Sequence, residues 1–442
     1  MVYQRSISSA CISGALGVLI TLCGVQTARS DVAKLRAISS SSCPLEGRVP
    51  HGMGQSKYAL AISGGGYRAM LFHVGALWRL NELGMLPKFK AVSSVSGGSI
   101  VAAVLATNWE RLNFDDEGVA RCFKLLVADP LIQLAKITID RASIIWGRIP
   151  YLSAAGMLET QYASQLFGDL TLAHLPASPQ FIFNAVNYQT AEAWTFTKER
   201  MGDATVGYVK NPKVSLARVV AASSAYPPWL SPLQLDLTDE TWDDSPFSGN
   251  GVSAETLDKL RRSVLLADGG IVDNLGLDAI ATHKGSIFVS DGGGGVDPVP
   301  EPSTNIVSQS LRIINIMHGQ PTKVRINNLI DQFSKKKMDG VYWTIRKIYT
   351  HRDVPDTKID PALVFELART PTRLKGMGDA KIRQIINLGY AAVDNALPFL
   401  DELWHEPGYS KDGWWQKLSC KYPYAEQTLG SELEQFCRDR RG

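Results

Sequence analysis

An excess of charge of either sign is missing from this chain: 46 Lys and Arg face 43 Asp and Glu, a formal +3 over 442 residues. That balance excludes a nucleic-acid binder that works by bulk attraction. Cysteine is scarce, at six residues, and no two are spaced as CxxC, which argues against a zinc site. Repeats of solenoid or propeller period are absent. The glycine-rich stretch at 64–66 lacks the Lys-Ser/Thr of a P-loop and the full spacing of a dinucleotide fingerprint. What is present is 45% hydrophobic and 9% aromatic residues, enough to bury a large core. The length fits one large α/β domain with an extension, or two to three ordinary domains.

A targeting segment opens the chain. Arg5 precedes an almost uncharged apolar stretch from Ala10 to Val25, and Ala28 and Ser30 then offer small residues at the spacing a signal peptidase accepts. The stretch is shorter than the roughly 20 residues of a spanning helix. The expectation is therefore an exported protein, periplasmic or secreted, cleaved near Ser30, with a retained membrane anchor as the alternative. Loss of Arg5 and Arg29 with the leader leaves the mature chain still closer to neutral. Cys11 and Cys23 fall in the leader, and Cys43, Cys122, Cys420 and Cys437 remain. In an exported protein these can pair as Cys43–Cys122 or Cys420–Cys437, or stay as small buried hydrophobes.

Beyond a serine-rich stretch, Lys57 to Ser63 reads as a buried strand, broken by Gly64-Gly65-Gly66, and 67–84 carries apolar residues at helical spacing. The unit repeats: strand 89–95, Ser96-Gly97-Gly98, helix 99–108. Such a βαβα order predicts a parallel sheet with right-handed crossovers. Further strands are expected at 181–186, 264–267, 286–289 and 311–317, each apolar on both faces. An amphipathic helix is expected over 378–397. Residues 131–157 are mostly apolar and read as a packed core segment or as a lipid-facing lid. Lys335-Lys336-Lys337 reads as a solvated basic run.

Two of these turns carry chemistry. Ser96, in Ser94-Val-Ser-Gly-Gly98, stands at a tight strand-to-helix reversal where only small flanking side chains fit, the pattern of an exposed nucleophile. Ser63-Gly-Gly-Gly-Tyr-Arg-Ala69 follows the preceding strand and opens a helix. Successive N–H groups and the helix dipole can gather an anion or a developing oxyanion there. Both lie at the carboxyl edge of one sheet, where open α/β sheets bind ligands. The hydroxyl needs a base, and two aspartates share one local pattern: Asp268 and Asp291 each follow an apolar strand and precede paired glycines. None of the seven histidines sits in such a turn. His73, His174, His283 and His318 read as structural.

Gly64-Gly-Gly-Tyr-Arg68, Ser94-Val-Ser-Gly-Gly98, Ala222-Ser-Ser-Ala-Tyr-Pro227 and Asp268-Gly-Gly270 with Asn274 follow one another in the order found in patatin-like phospholipases. Over roughly 57 to 280 the chain resembles that family of lipid acyl hydrolases. Ser94 in place of glycine and Ala69 in place of the commoner glycine are departures, and the loop is closer to the cytosolic phospholipase A branch. The resemblance implies an α/β three-layer sandwich with a mostly parallel central sheet over 57–300, preceded by a leader at 1–30 and the start of the mature chain at 31–56. A C-terminal strand/helix completion with a mainly helical extension would then run over 301–442.

It also implies Ser96 as nucleophile, Asp268 as base, Gly64, Gly65 and Gly66 as oxyanion loop, and Arg68 as a group that orients the loop or meets a lipid phosphate. Asp291 is left to cap a turn. No cofactor or metal is implied. The implied partner is a lipid at a membrane surface, with no nucleic acid and the oligomeric state open. A non-catalytic lipid-binding protein, a phosphate or nucleotide binder using the glycine loop permanently, and a Ser-Asp-His esterase of non-lipid esters are the competing readings. The Ser-Asp dyad is expected to titrate near pH 4 and the triad near 6.5.

Overall fold

The computed structural model describes residue 43 and residues 57–140, 154–347, 360–400 and 423–424. The leader, the candidate Cys420–Cys437 pair and residues 141–153 of the lid candidate therefore lie outside the described residues.

The strands are β1 (Tyr58–Ile62), β2 (Phe89–Val95), β3 (Gln180–Asn187), β4 (Ala193–Phe196), β5 (Arg200–Asp203), β6 (Gly207–Lys210), β7 (Leu233–Asp236), β8 (Trp242–Asp243), β9 (Ser263–Asp268), β10 (Ile287–Asp291) and β11 (Gly340–Thr344). They form one sheet of order β11-β10-β1-β2-β3-β4-β5-β6-β8, with β9 also on β3 and β7 on β9. The five strands from β11 to β3 are parallel. The rest is antiparallel. The parallel part was legible in the sequence, but strands such as β5 and β6 are too short and too polar to stand out from loops.

Five helices matter for the site: α1 (Gly66–Glu82), α2 (Gly97–Asn108), α3 (Leu216–Ser223), α4 (Ile306–Ser334) and α5 (Asp379–Ala396). Alternation along β1 makes the layers. Tyr58, Leu60 and Ile62 enter a large core shared with α1, α2, α3 and α5. Ala59 and Ala61 face a smaller core closed by Ile326, Leu329 and Phe333 of α4. Helices thus cover both faces, as an apolar parallel sheet requires.

The run 311–317, expected as a strand, is part of α4 instead. A short apolar run does not distinguish strand from helix by its own period. Here Asn305 decides it, its side chain accepting from the Ser308 N–H at 2.9 Å as an N-cap. Residues 131–140 bury Leu131, Leu134, Ala135 and Ile139, so this part of the lid candidate is core.

Helix α1, which begins at the glycine loop, is clamped by α5. A Cβ at Gly75 would stand 1.8 Å from Ile386 O, and one at Gly389 would stand 1.9 Å from Phe72 O. Backbones this close admit only glycine on each side. The buried pair Arg79 Nε and Asp394 Oδ1, at 2.5 Å, locks the same crossing. A disulfide joins Cys43 to Cys122 across 79 residues, with the Cα atoms 6.0 Å apart. Alkylation of the denatured, unreduced protein followed by peptide mapping is expected to leave Cys43 and Cys122 unmodified until reductant is added; modification of both without reductant would contradict the pairing.

Candidate active site

Register over β3 brings the two expected partners together. β2 pairs with β3 up to Val95 opposite Asn184, and β9 pairs with β3 from the other direction, ending at Asp268 opposite Ala185. β4 also pairs with Asn184 and Ala185, so it takes the other edge of β3. β2 and β9 therefore meet head to head on the edge that remains, and the residues at their ends face each other. The Ser96 side chain is thereby brought within interaction range of the Asp268 carboxyl.

Ser96 sits in the left-handed region at φ 51° and ψ −118°, between β2 and α2. Such a backbone is costly for a residue with a Cβ and persists only where its surroundings hold it. The holding group is Ser223, at the end of α3. Its Oγ accepts from the Ser96 N–H at 3.0 Å and donates to Asn184 O at 2.6 Å. Ser99 bridges Ser223 and Ser94 at 2.8 and 3.1 Å. Ser94 is fully buried and donates to Ile182 O at 3.2 Å, which explains how serine fills the place of the commoner glycine.

Asp268 is held at its other end: its N–H donates to Ala225 O at 3.0 Å, and one carboxylate oxygen accepts from the Gly270 N–H at 2.8 Å. Burial pushes its pKa up to about 6, against the opposing pull of the Ser96 hydroxyl and the Gly270 N–H. Tyr162 and Tyr226 lie within electrostatic reach; burial first, and then the carboxylate, pushes both phenols up. The 222–227 segment thus braces both partners, a role its composition alone did not reveal.

The glycine loop is pressed against this elbow. A Cβ at Gly97 would stand 2.3 Å from Gly66 O, and one at Gly64 would stand 2.5 Å from Asn274 Oδ1 and 3.0 Å from the Ser96 Cβ. The Gly64 N–H is spent on Asn274 O at 3.0 Å. The Gly65 and Gly66 N–H groups, at the N-terminus of α1, meet no acceptor among the described residues. Two donors thus remain for an anionic atom.

Arg68 is 2% exposed. Its Nε donates to Gly292 O at 3.1 Å and its Nη2 to Thr372 Oγ1 at 3.0 Å, while Nη1 binds Thr370 O. Burial lowers its pKa to about 10, with Asp291 pulling the other way. These contacts fit the loop-orienting role; the alternative contact with a lipid phosphate finds no exposed face.

Asp291 stays apart, at the end of β10 beyond β1. Its carboxylate accepts from Tyr342 at 2.7 Å and from the Gly293 N–H at 2.9 Å, so it caps a turn. His73 is fully buried between Ser290 Oγ (2.8 Å) and Ser63 O (3.0 Å), and burial pulls its pKa down to about 3. His174 caps the turn at Thr171, His283 binds Lys57 O, and His318 packs on Tyr226 at 5.9 Å. No described histidine hydrogen-bonds Ser96 or Asp268. Among the described residues no group of three His, Cys, Asp or Glu could hold a metal ion.

The patatin-like phospholipase family matches residues 60–281, half of the chain. This chain belongs to that family. No curated protein matches the chain. Among solved structures, human GIVD cytosolic phospholipase A2 in complex with methyl gamma-linolenyl fluorophosphonate is 13% identical at a TM-score of 0.42, over 84% of this chain and 61% of that one. VipD from Legionella pneumophila is 17% identical at a TM-score of 0.30, over 77% of this chain and 72% of that one. Both likenesses are weak. The chain spans about three fifths of the human enzyme's length.

Within this patatin-like domain, Ser223 is the support that local pattern could not reveal, because it acts on a residue 127 positions away. Ser223→Ala removes an acceptor from a buried N–H, a loss of about 1–3 kcal/mol. It is expected to lower kcat about tenfold or more with a modest loss of thermal stability; a variant with wild-type kcat would show that the elbow stands without it.

Proposed function

We propose that this protein cleaves carboxylic esters of membrane lipids, as a phospholipase A or lysophospholipase, through a Ser96–Asp268 dyad and an acyl-enzyme. The observation that carries the reading is that strand register brings Ser96 beside a buried carboxylate, with no described histidine hydrogen-bonded to either. Asp268 takes the proton as Ser96 Oγ bonds to the ester carbonyl carbon. The N–H groups of Gly65 and Gly66 stabilise the oxyanion; one such donor is worth about 3 kcal/mol of barrier. Collapse breaks the ester C–O bond and Asp268 returns the proton to the leaving alcohol. Water, deprotonated by the same carboxylate, then releases the fatty acid. Arg68 orients the loop. The reading takes the protein to be exported and in peripheral contact with a membrane, consistent with the leader-like 1–30.

The elevated Asp268 pKa revises the pH expectation. The base must be ionised, so kcat/KM is expected to fall below about pH 6 rather than 4. A limb near 6 no longer separates dyad from triad, and the histidines must be replaced individually. Ser96→Ala is expected to cut kcat on a lipid ester by about a thousandfold or more with the melting temperature kept; retained turnover contradicts the assignment.

Asp268→Asn is expected to be as inactive and, at pH 8, more stable. An acid whose pKa is higher folded than unfolded destabilises the fold as pH rises from about 4 to about 6, and the full penalty, about 3 kcal/mol, persists above. The gain in melting temperature should therefore shrink towards pH 4. A variant no more stable at pH 8 than the parent would contradict the burial cost.

A further inference from the structure

The long helix α4 is inverted over 306–324. Ile306, Ile313, Met317 and Val324 are 79%, 54%, 64% and 55% exposed. At about 100° per residue these positions, spaced 7, 4 and 7 apart, fall within about 20° of one line and make an apolar stripe about 27 Å long on the solvent side. The second half is anchored, with Leu329 and Phe333 in the smaller core and Arg325 on Asp278 at 2.9 Å. The first half reaches the candidate active site, where Tyr226 donates to Asn315 Oδ1 at 3.1 Å. An apolar cleft of about 240 Å³ opens there between Trp229 and Ile306, Leu311 and Ile314.

Charge selects what covers the stripe. From 306 to 337 there are six cations, Arg312, Lys323, Arg325 and Lys335 to Lys337, and one carboxylate, Asp331, whereas the chain as a whole is nearly balanced. Two copies meeting stripe to stripe would bring these cations together. Arg325 is already paired with Asp278 and Lys335 with Asp331; an anionic surface would meet Arg312, Lys323 and Lys337, and a fluid apolar interior beneath it would take the stripe.

We propose that the exposed face of α4 is the surface on which the protein docks to an anionic lipid bilayer, lying in the interface beside Ser96. The proposal deepens the hydrolase reading and rests on it for its purpose, but the docking can be measured without turnover. Full-length Ser96→Ala protein is mixed with vesicles of phosphatidylglycerol and phosphatidylcholine, or of phosphatidylcholine alone, and sedimented. It is expected to bind the anionic vesicles and to release as salt rises. The Ile313→Ser/Met317→Ser double variant, altered only at exposed positions, is expected to lose about tenfold or more of that binding. In the Ser96-bearing background the same pair should leave turnover of a dissolved short-chain ester unchanged.

Equal binding by the double variant, or equal binding to both vesicle types, overturns the proposal. So does a dimer in size-exclusion chromatography that the double variant converts to monomer, because a second copy would then cover the stripe. Loss of esterase reading with binding intact would refute the hydrolase mechanism and leave the docking surface standing.

Discussion

Head-to-head approach of β2 and β9 on one edge of β3 is the constraint on which the site depends. Val95 and Asp268 oppose consecutive residues, Asn184 and Ala185. A parallel strand leads into Ser96, and an antiparallel strand ends at Asp268. Had β9 joined the sheet in parallel, its carboxyl end would have pointed along β2 rather than at it. Main-chain pairing sets this geometry, and the 222–227 segment braces both ends of it. The cost falls on the carboxylate, which is desolvated, and on the Ser96 backbone, which is strained.

Support for the site extends past the region matched by the family. The Gly65–Gly66 donors exist only while α1 keeps its position, and α1 is held by α5 at 379–396 through Gly75, Gly389 and the Arg79–Asp394 pair. Arg373 closes the same end, its carbonyl accepting from the Tyr67 N–H at 3.1 Å while its side chain holds Asp140 at 2.7 Å. Arg68 ties the loop to 370–372. Residues 360–400 are therefore part of the catalytic fold in mechanical terms. The C-terminal extension expected from the sequence does more than append helices.

Legibility in the sequence followed the range of the interaction. The elbow at Ser96 and the loop at 64–66 could be read because strand, glycines and helix are adjacent in the chain. Asp268 and Asp291 could not be ranked by residue pattern, since both end apolar strands before paired glycines. What separates them is that β9 pairs with β3 and β10 pairs with β1. Ser223 was invisible for the same reason: its partner's N–H lies 127 residues away. The segment 311–317 was misread because an apolar run normally signals burial, whereas in α4 the apolar residues at 313, 316 and 317 face outward.

The most direct test of a carboxylate acting without an imidazole is the rate at which a fluorophosphonate modifies the protein as pH is varied, with the adduct mapped by mass spectrometry. One adduct, on Ser96, is expected, with a single acid limb near 6 that no histidine replacement displaces and no reaction in Asp268→Asn. An adduct on another serine, or a limb that moves when a histidine is replaced, would contradict the account.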